Sequence, residues 1–330
     1  MMSCRAAVLL LATAAGADPT NLLRTDGVAV VKVPHLREIF ARKSLTDYPF
    51  KPFSAAAVTY ARTHPISWID KGAVTPAKDQ GPHGYCGTFG RVAAAEGQYA
   101  LRSGNPLAAF SEEALVDCVG WDMVPQQQAF FEKNGFMTTA SYPYNDSSYP
   151  DSDPPVPGNP CRWDQAQSVN GTAASNFTDA TGGAPSEDQL LAFMHRNGPV
   201  QTGIFSDVFG LREKNCEATG TCFITAAMCA SVKGKPIDHS ITLVGYGVDK
   251  TNGPYWIVKV CVMRIQWMRS RRPRGRLIFN PPPSASARQN SWSKAFANDG
   301  FINVAYGVNC GEISCCGNVF TYGNASSYYD

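Results

Sequence analysis

Residues 79–90, DQGPHGYCGTFG, place Cys86 in a glycine-rich loop directly ahead of a run with helical spacing. Its type allows three roles: nucleophile, half of a disulfide, or small buried residue. A thiol becomes a good nucleophile when its thiolate is stabilised, and the first turn of a helix does this through unpaired N–H groups and its dipole. Such a thiol needs a base, and the chain holds five histidines. His35 and His64 fall in a polar N-terminal region, and His195 sits on an amphipathic run. His83 is three residues from Cys86, too close in a loop for in-line pairing, and reads as loop-filling or substrate-facing. His239 opens the run HSITLVGYG and can present its ring across a cleft, which makes it the candidate base.

These side chains need a helix and a strand to hold them. The run from Cys86 repeats Phe89, Val92, Ala93, Glu96, Tyr99 and Ala100 at helical spacing and stops at Gly104. Gly87 and Gly90 weaken it by roughly 1 kcal/mol each relative to alanine, so packing must hold it. SEEALVDC, PQQQAFFEKNG and SEDQLLAFMHRNG read as three more helices, the last with Ser186 and Gln189 placed for a capping box. Then come PVQTGIF, HSITLVGYG, PYWIVK and GFINVAY, four β-rich runs separated by turn formers. A helical half followed by a mainly antiparallel β half predicts an α+β fold with a cleft between the two.

The N-terminus carries Arg5, an apolar stretch from Ala6 to Ala15, and the small residues Ala15-Gly16-Ala17, a pattern expected of a secretory signal over residues 1–17. The stretch is too short to span a bilayer. Residues 18–63 are polar and punctuated by prolines, and read as an irregular pro-segment or an ordinary extension ahead of a 64–330 domain, helical over about 75–180 and β-rich over about 181–330. Secretion permits disulfides among the eleven cysteines and agrees with sequons at Asn145, Asn170, Asn176 and Asn324. The net charge of +2 is misleading: seven of the 29 basic residues are arginines between Val260 and Gln289, and the other 22 face 27 acidic residues, a net of −5. An acidic chain argues against a nucleic-acid partner.

The stretches ISWIDKGAVTPAKDQG, CGTFGRVAAAEG, SEEALVDC, SYPY, NGPV, DHSITLVGYG, PYWIVK and NSW occur in an order that resembles the papain-like (cathepsin-like) cysteine peptidases. The resemblance implies a two-subdomain fold, a helical half and an antiparallel β-barrel-like half with the active-site cleft between them. It implies that Cys86 attacks the scissile carbonyl as a thiolate, while His239 holds the imidazolium and protonates the leaving amine. Gln80 and the Cys86 backbone N–H would stabilise the oxyanion, Asn290 would orient His239, and Trp292 would shield that contact. Ser240, Met123 and Val124 would line the substrate site. Cys118 with Cys161, and Cys229 with Cys310, would form two family disulfides. Polypeptide substrates and protein inhibitors are the implied partners, with no cofactor, no metal, no membrane and a monomeric state. The implied compartment is a lysosome or vacuole, or the cell exterior.

Several positions depart from the family pattern. Where the family has Cys-Gly-Ser-Cys-Trp, this chain has His83-Gly84-Tyr85-Cys86-Gly87, so the first cysteine is missing, and its GWDMV loop at 120–124 lacks the cysteine that normally pairs there. A bridge lost at both ends leaves no orphan thiol. Met123 and Val124 stand where glycines let substrate backbone approach. Cys216, Cys222, Cys315 and Cys316 have no family counterpart; a zinc site is an alternative for them, but without the usual ligand spacing. These departures keep open two other readings, a catalytically dead homologue that binds peptides or inhibitors and a disulfide-rich structural protein.

The family also joins the lysine of WIVK directly to Asn-Ser-Trp, whereas here 30 residues, Val260 to Gln289, separate Lys259 from Asn290. One reading is an arginine-rich surface loop, whose closure would cost only about 3 kcal/mol. The other is a retained in-frame intron: every valine codon begins GT, a glutamine codon can end AG, and the composition matches nothing around it. Transcripts joining codon 259 to codon 290 would separate the two readings.

Overall fold

The computed structural model describes residues 22–25, 28–31, 47–48, 51–81, 84–120, 124–145, 159–172, 176–179, 186–211, 216, 221–260, 263–264, 297 and 299–322. The expected signal segment, His83, Met123, Asn290 and Trp292 lie outside these residues.

The region before residue 64 was expected to be irregular, but α1 (Ala55–Thr63) forms within it. Ser54 caps it by accepting from Ala57 N, and three alanines begin it. The helix is bound to the β half: Arg62 pairs with Asp188 at 2.5 Å, Tyr246 Oη donates to the Arg62 carbonyl, and Phe53 packs edge-on against Phe193. Farther upstream, β1 (Leu22–Thr25) and β2 (Val28–Val31) form an antiparallel pair, to which β10 (Met263–Arg264) adds on the β2 side.

The helical half is built on α2 (Cys86–Ser103), which ends at Gly104 with φ 70°. Val92, Ala95 and Tyr99 on this helix meet Phe110, Leu115, Phe131 and Phe136 in one core. The last four come from α3 (Glu112–Cys118), α4 (Val124–Asn134) and the segments beside them. Burying each of these aromatic or aliphatic side chains contributes about 1.5–3 kcal/mol, which outweighs the glycine penalty in α2.

The β half pairs β6 (Val200–Ile204), β8 (His239–Asp249), β9 (Gly253–Val260) and β11 (Phe301–Ala305) antiparallel in that spatial order. β4 (Ile66–Ser67) adds to β8, and β7 (Phe223–Ile224) runs parallel to β11. On the other side, β12 (Asn318–Thr321) and β5 (Asn176–Asp179) extend the sheet to β3 (Asp47–Tyr48). No pairing joins β3 to β7 among the described residues, so the sheet is open and lacks the barrel-like closure that the family resemblance implied. α5 (Glu187–Asn197) covers it, with Leu190, Phe193 and Met194 packed among Ile241, Leu243 and Val258. The expected capping box does not form: Ser186 makes no side-chain cap, and Gln189 instead binds both backbone groups of Phe53.

A buried charge cluster joins the halves. Lys78 Nζ donates to Glu96 Oε1, Glu112 Oε1 and the Phe110 carbonyl, each at 2.7 Å. From β9, Lys259 Nζ donates to Thr75 Oγ1 at 2.8 Å, and Thr75 donates to Glu96 Oε2. Burial opposes the Glu96 charge, but Lys78 and Lys259 outweigh it and lower its pKa. Burial also raises the pKa of Glu112; Lys78 opposes that rise, and the Glu96 charge adds to it.

Glu96→Gln leaves the buried Lys259 ammonium without a carboxylate and the half-buried Lys78 with Glu112 alone, and we expect it to lower stability by about 3 kcal/mol at neutral pH. The lowered Glu96 pKa gives a contribution present above the ordinary glutamate range and lost as pH falls through the depressed value. Urea melts should therefore show the variant and parent converging in acid; a constant gap would contradict the assignment.

Candidate active site

Cys86 is the first residue of α2, fully buried, and its thiol lies outside the four disulfides of the described residues. The helix therefore offers its N-terminal dipole to the sulfur. The turn ahead of it is set by Asp79, whose side chain accepts from Gly81 N at 2.9 Å, with Gly81 at φ 65°. Gln80 between them is fully buried, and its carbonyl accepts from Tyr144 Oη at 2.6 Å. Tyr85, Phe89 and Val116 pack together with Tyr144 beneath this turn.

His239 begins β8 opposite Ile204 of β6 and is also fully buried. The ring of Phe209, in the short turn Ser206–Leu211, stands edge-on to it at 5.9 Å. Asp238, just before it, accepts from Ser206 N at 2.6 Å. The strand opening is thus fixed from both sides.

Helix and strand meet through glycines. A Cβ at Gly90 would lie 2.6 Å from Ser240 Oγ, and one at Gly97 would lie 2.6 Å from both the Ala73 carbonyl and Pro199 Cγ. Residues seven apart share one helix face, so these two glycines form the side that approaches the β half. Thr242 Oγ1 donates to the Gly90 carbonyl at 3.1 Å across the same contact. Gln201 Nε2 donates to the Gly87 carbonyl at 3.2 Å and to Ser240 Oγ at 2.9 Å. The residue after Cys86 and the residue after His239 therefore share one side-chain amide.

Of the other candidates, Ser240 is buried against Gly90 and Gln201, and Val124 opens α4. Disulfides join Cys118 to Cys161 and Cys229 to Cys310. Two more join Cys216 to Cys222 and Cys315 to Cys316, the four cysteines that sequence could not pair. No cluster of potential metal ligands occurs among the described residues, and no described helix is long and apolar enough to cross a membrane. Sequence reading missed Gln201, Gly97 and the charge cluster. The cluster did leave a signal, because Lys78, Glu96, Glu112 and Lys259 each lie inside one of the ordered motif stretches.

A helix that begins with a buried cysteine thus packs against a strand that begins with histidine, within an α+β fold. The family model for papain family cysteine proteases matches residues 63–261, more than half of the sequence, and the chain belongs to that family. A cysteine proteinase of Trypanosoma brucei brucei is 29% identical over 253 residues, covering 74% of this chain and 44% of the relative. Among solved structures, digestive procathepsin L 3 of Tenebrio molitor larval midgut aligns with a TM-score of 0.55 at 22% identity, over 87% of this chain and 78% of that one. The bromelain protease of Ananas comosus in complex with the E64 inhibitor aligns with a TM-score of 0.52 at 22% identity, over 78% of this chain and 99% of that one. The chain spans about half the length of the curated relatives it matches.

The glycine face makes a stability prediction. Gly97→Ala gains about 1 kcal/mol of helix propensity but meets a backbone carbonyl and a proline ring, and such overpacking costs about 1–3 kcal/mol. We expect net destabilisation in a thermal melt; a stabilised variant would mean that the halves do not approach this closely.

Proposed function

We propose that the protein is a cysteine peptidase that cleaves peptide bonds by acyl transfer through Cys86. The observation that carries this reading is the buried thiol on the first turn of α2, a helix that packs against β8, the strand whose first residue is His239. The Cys86 thiolate attacks the scissile carbonyl carbon, and the oxyanion is met by the Cys86 backbone N–H and the Gln80 side-chain amide. As the tetrahedral intermediate collapses, the C–N bond breaks and the His239 imidazolium gives its proton to the departing amine. Water then attacks the thioester, losing a proton to His239, and the acid leaves as the thiolate–imidazolium pair reforms. Asn290 orients the imidazole and Trp292 shields it. Met123 and Val124 line the substrate side, while Ser240, fully buried between Gly90 and Gln201, does not reach it.

The same reading makes residues 1–17 a secretory signal and 18–63 a pro-segment, and places the mature monomer in a lysosome, a vacuole or the cell exterior. The substrates are polypeptides. The E64 complex of the bromelain neighbour supports inhibitor binding. The runner-up is a catalytically inactive peptide-binding homologue, favoured by the full burial of Gln80, Cys86 and His239 together with the 30 residues ahead of Asn290.

Hydrolysis of a mixed peptide library by the processed full chain and by a chain lacking 260–289, each with Cys86→Ala as blank, decides between the two readings. We expect turnover by the shortened chain, reduced by about 100-fold in the full chain through misplacement of Asn290, and abolished by Cys86→Ala. No turnover by either chain, with both folded, would establish the binding reading instead.

A further inference from the structure

Gln201 has no part in the chemistry above, yet it is fully buried where the two halves meet. Its Nε2 donates to the Gly87 carbonyl and to the Ser240 hydroxyl. A carbonyl oxygen can only accept, so the amide must present its nitrogen to Gly87 and cannot be flipped. Oε1 then lies buried with no hydrogen-bond partner among the described residues. That loss disfavours glutamine here unless the two N–H bonds offset it. The register of β6 explains the reach: Gln201 faces Thr242 on β8, two residues past Ser240, and its side chain runs back toward the strand opening. Gly90 keeps the space clear, since a Cβ there would lie 3.1 Å from Gln201 Cγ as well as against Ser240.

We propose that Gln201 is a positioning residue, a clamp that sets the separation of the Cys86 thiol and the His239 imidazole by binding the residue next to each. The inference rests on the reading of Cys86 and His239 as the reacting pair. Gly87 follows Cys86 in the first turn of α2, and Ser240 follows His239 at the opening of β8. One amide bonded to both transmits any shift between the halves to the pair. A shorter asparagine would lose one of the two contacts, and methionine would fill the volume without donating to either.

The test is a pH titration of the Cys86 thiolate in the full chain, followed by ultraviolet absorbance as the difference between each protein and its Cys86→Ala counterpart. Parent, Gln201→Met and Ser240→Ala are compared, with far-ultraviolet circular dichroism as the folding control. In the parent the thiolate should persist well below the free-cysteine pKa of about 8.5. Gln201→Met should raise the midpoint by at least about one pH unit, a tenfold loss of thiolate on the acid side. In peptide hydrolysis it should lower kcat with little change in KM. Ser240→Ala, which keeps the Gly87 bond, should move the midpoint in the same direction by less. A parent midpoint near 8.5 would overturn the reacting pair, and the clamp with it. A depressed parent midpoint left unmoved by Gln201→Met would overturn the clamp alone and reduce Gln201 to interior packing. Should Gln201→Met fail to fold, an unmoved midpoint in Ser240→Ala overturns the clamp in the same way.

Discussion

Four ionisable groups, the buried Glu96, Glu112 and Lys259 and the half-buried Lys78, hold the two halves of the molecule in register. Taking such groups out of water is expensive, and the expense is met only when every donor and acceptor has a partner. Here Thr75 and the Phe110 carbonyl and N–H complete the set. The arrangement tolerates little sliding, because a shift of an ångström or two would leave an ammonium or a carboxylate alone in the interior. Lys78 lies two residues before Gln80, and Lys259 is the penultimate residue of β9. One cluster therefore fixes both the loop that leads to the thiol and the strand end that leads toward Asn290.

Close approach is the second constraint. Alanine at 90 and 97 would favour the helix locally, but it would hold the β half away from it. Local propensity yields to tertiary contact on this face, and the apolar core on the opposite face supplies the compensation. The result is a helix N-terminus and a strand opening brought together by backbone proximity, with Thr242 and Gln201 as the stitches.

Much of this was legible in the sequence. The helical run from Cys86, the three later helices and the four central strands follow from hydrophobic period and turn residues, and the structure has each of them. Long-range partners were not legible. Gln189 has the spacing of a capping residue, yet Phe53, 136 positions away, takes both its polar atoms. Gln201 reads as an ordinary polar residue in a strand, and only folding brings Gly87 and Ser240 to it. The helix at 55–63 was hidden by the prolines around it, though Ser54 and three alanines marked its start. Barrel-like closure came from family resemblance, and the pairing of individual strands leaves the sheet open.

The 30 residues after Lys259 interrupt a hairpin whose strands are already paired. Lys259 stands opposite Phe301, and Val260 N donates to the Gly300 carbonyl at 3.0 Å. Val260, the first of the 30, is thus itself the last residue of β9, and the family match stops at residue 261. The proposed chemistry depends on Cys86 and His239 sharing a proton as an ion pair, and the most direct measurement is an NMR titration of the His239 ring in the parent and in Cys86→Ala. A thiolate neighbour should hold the parent imidazole protonated well above the ordinary histidine range, and its removal should return the pKa downward by at least about one unit. An imidazole whose titration is the same with and without the thiol would contradict the pairing on which the function rests.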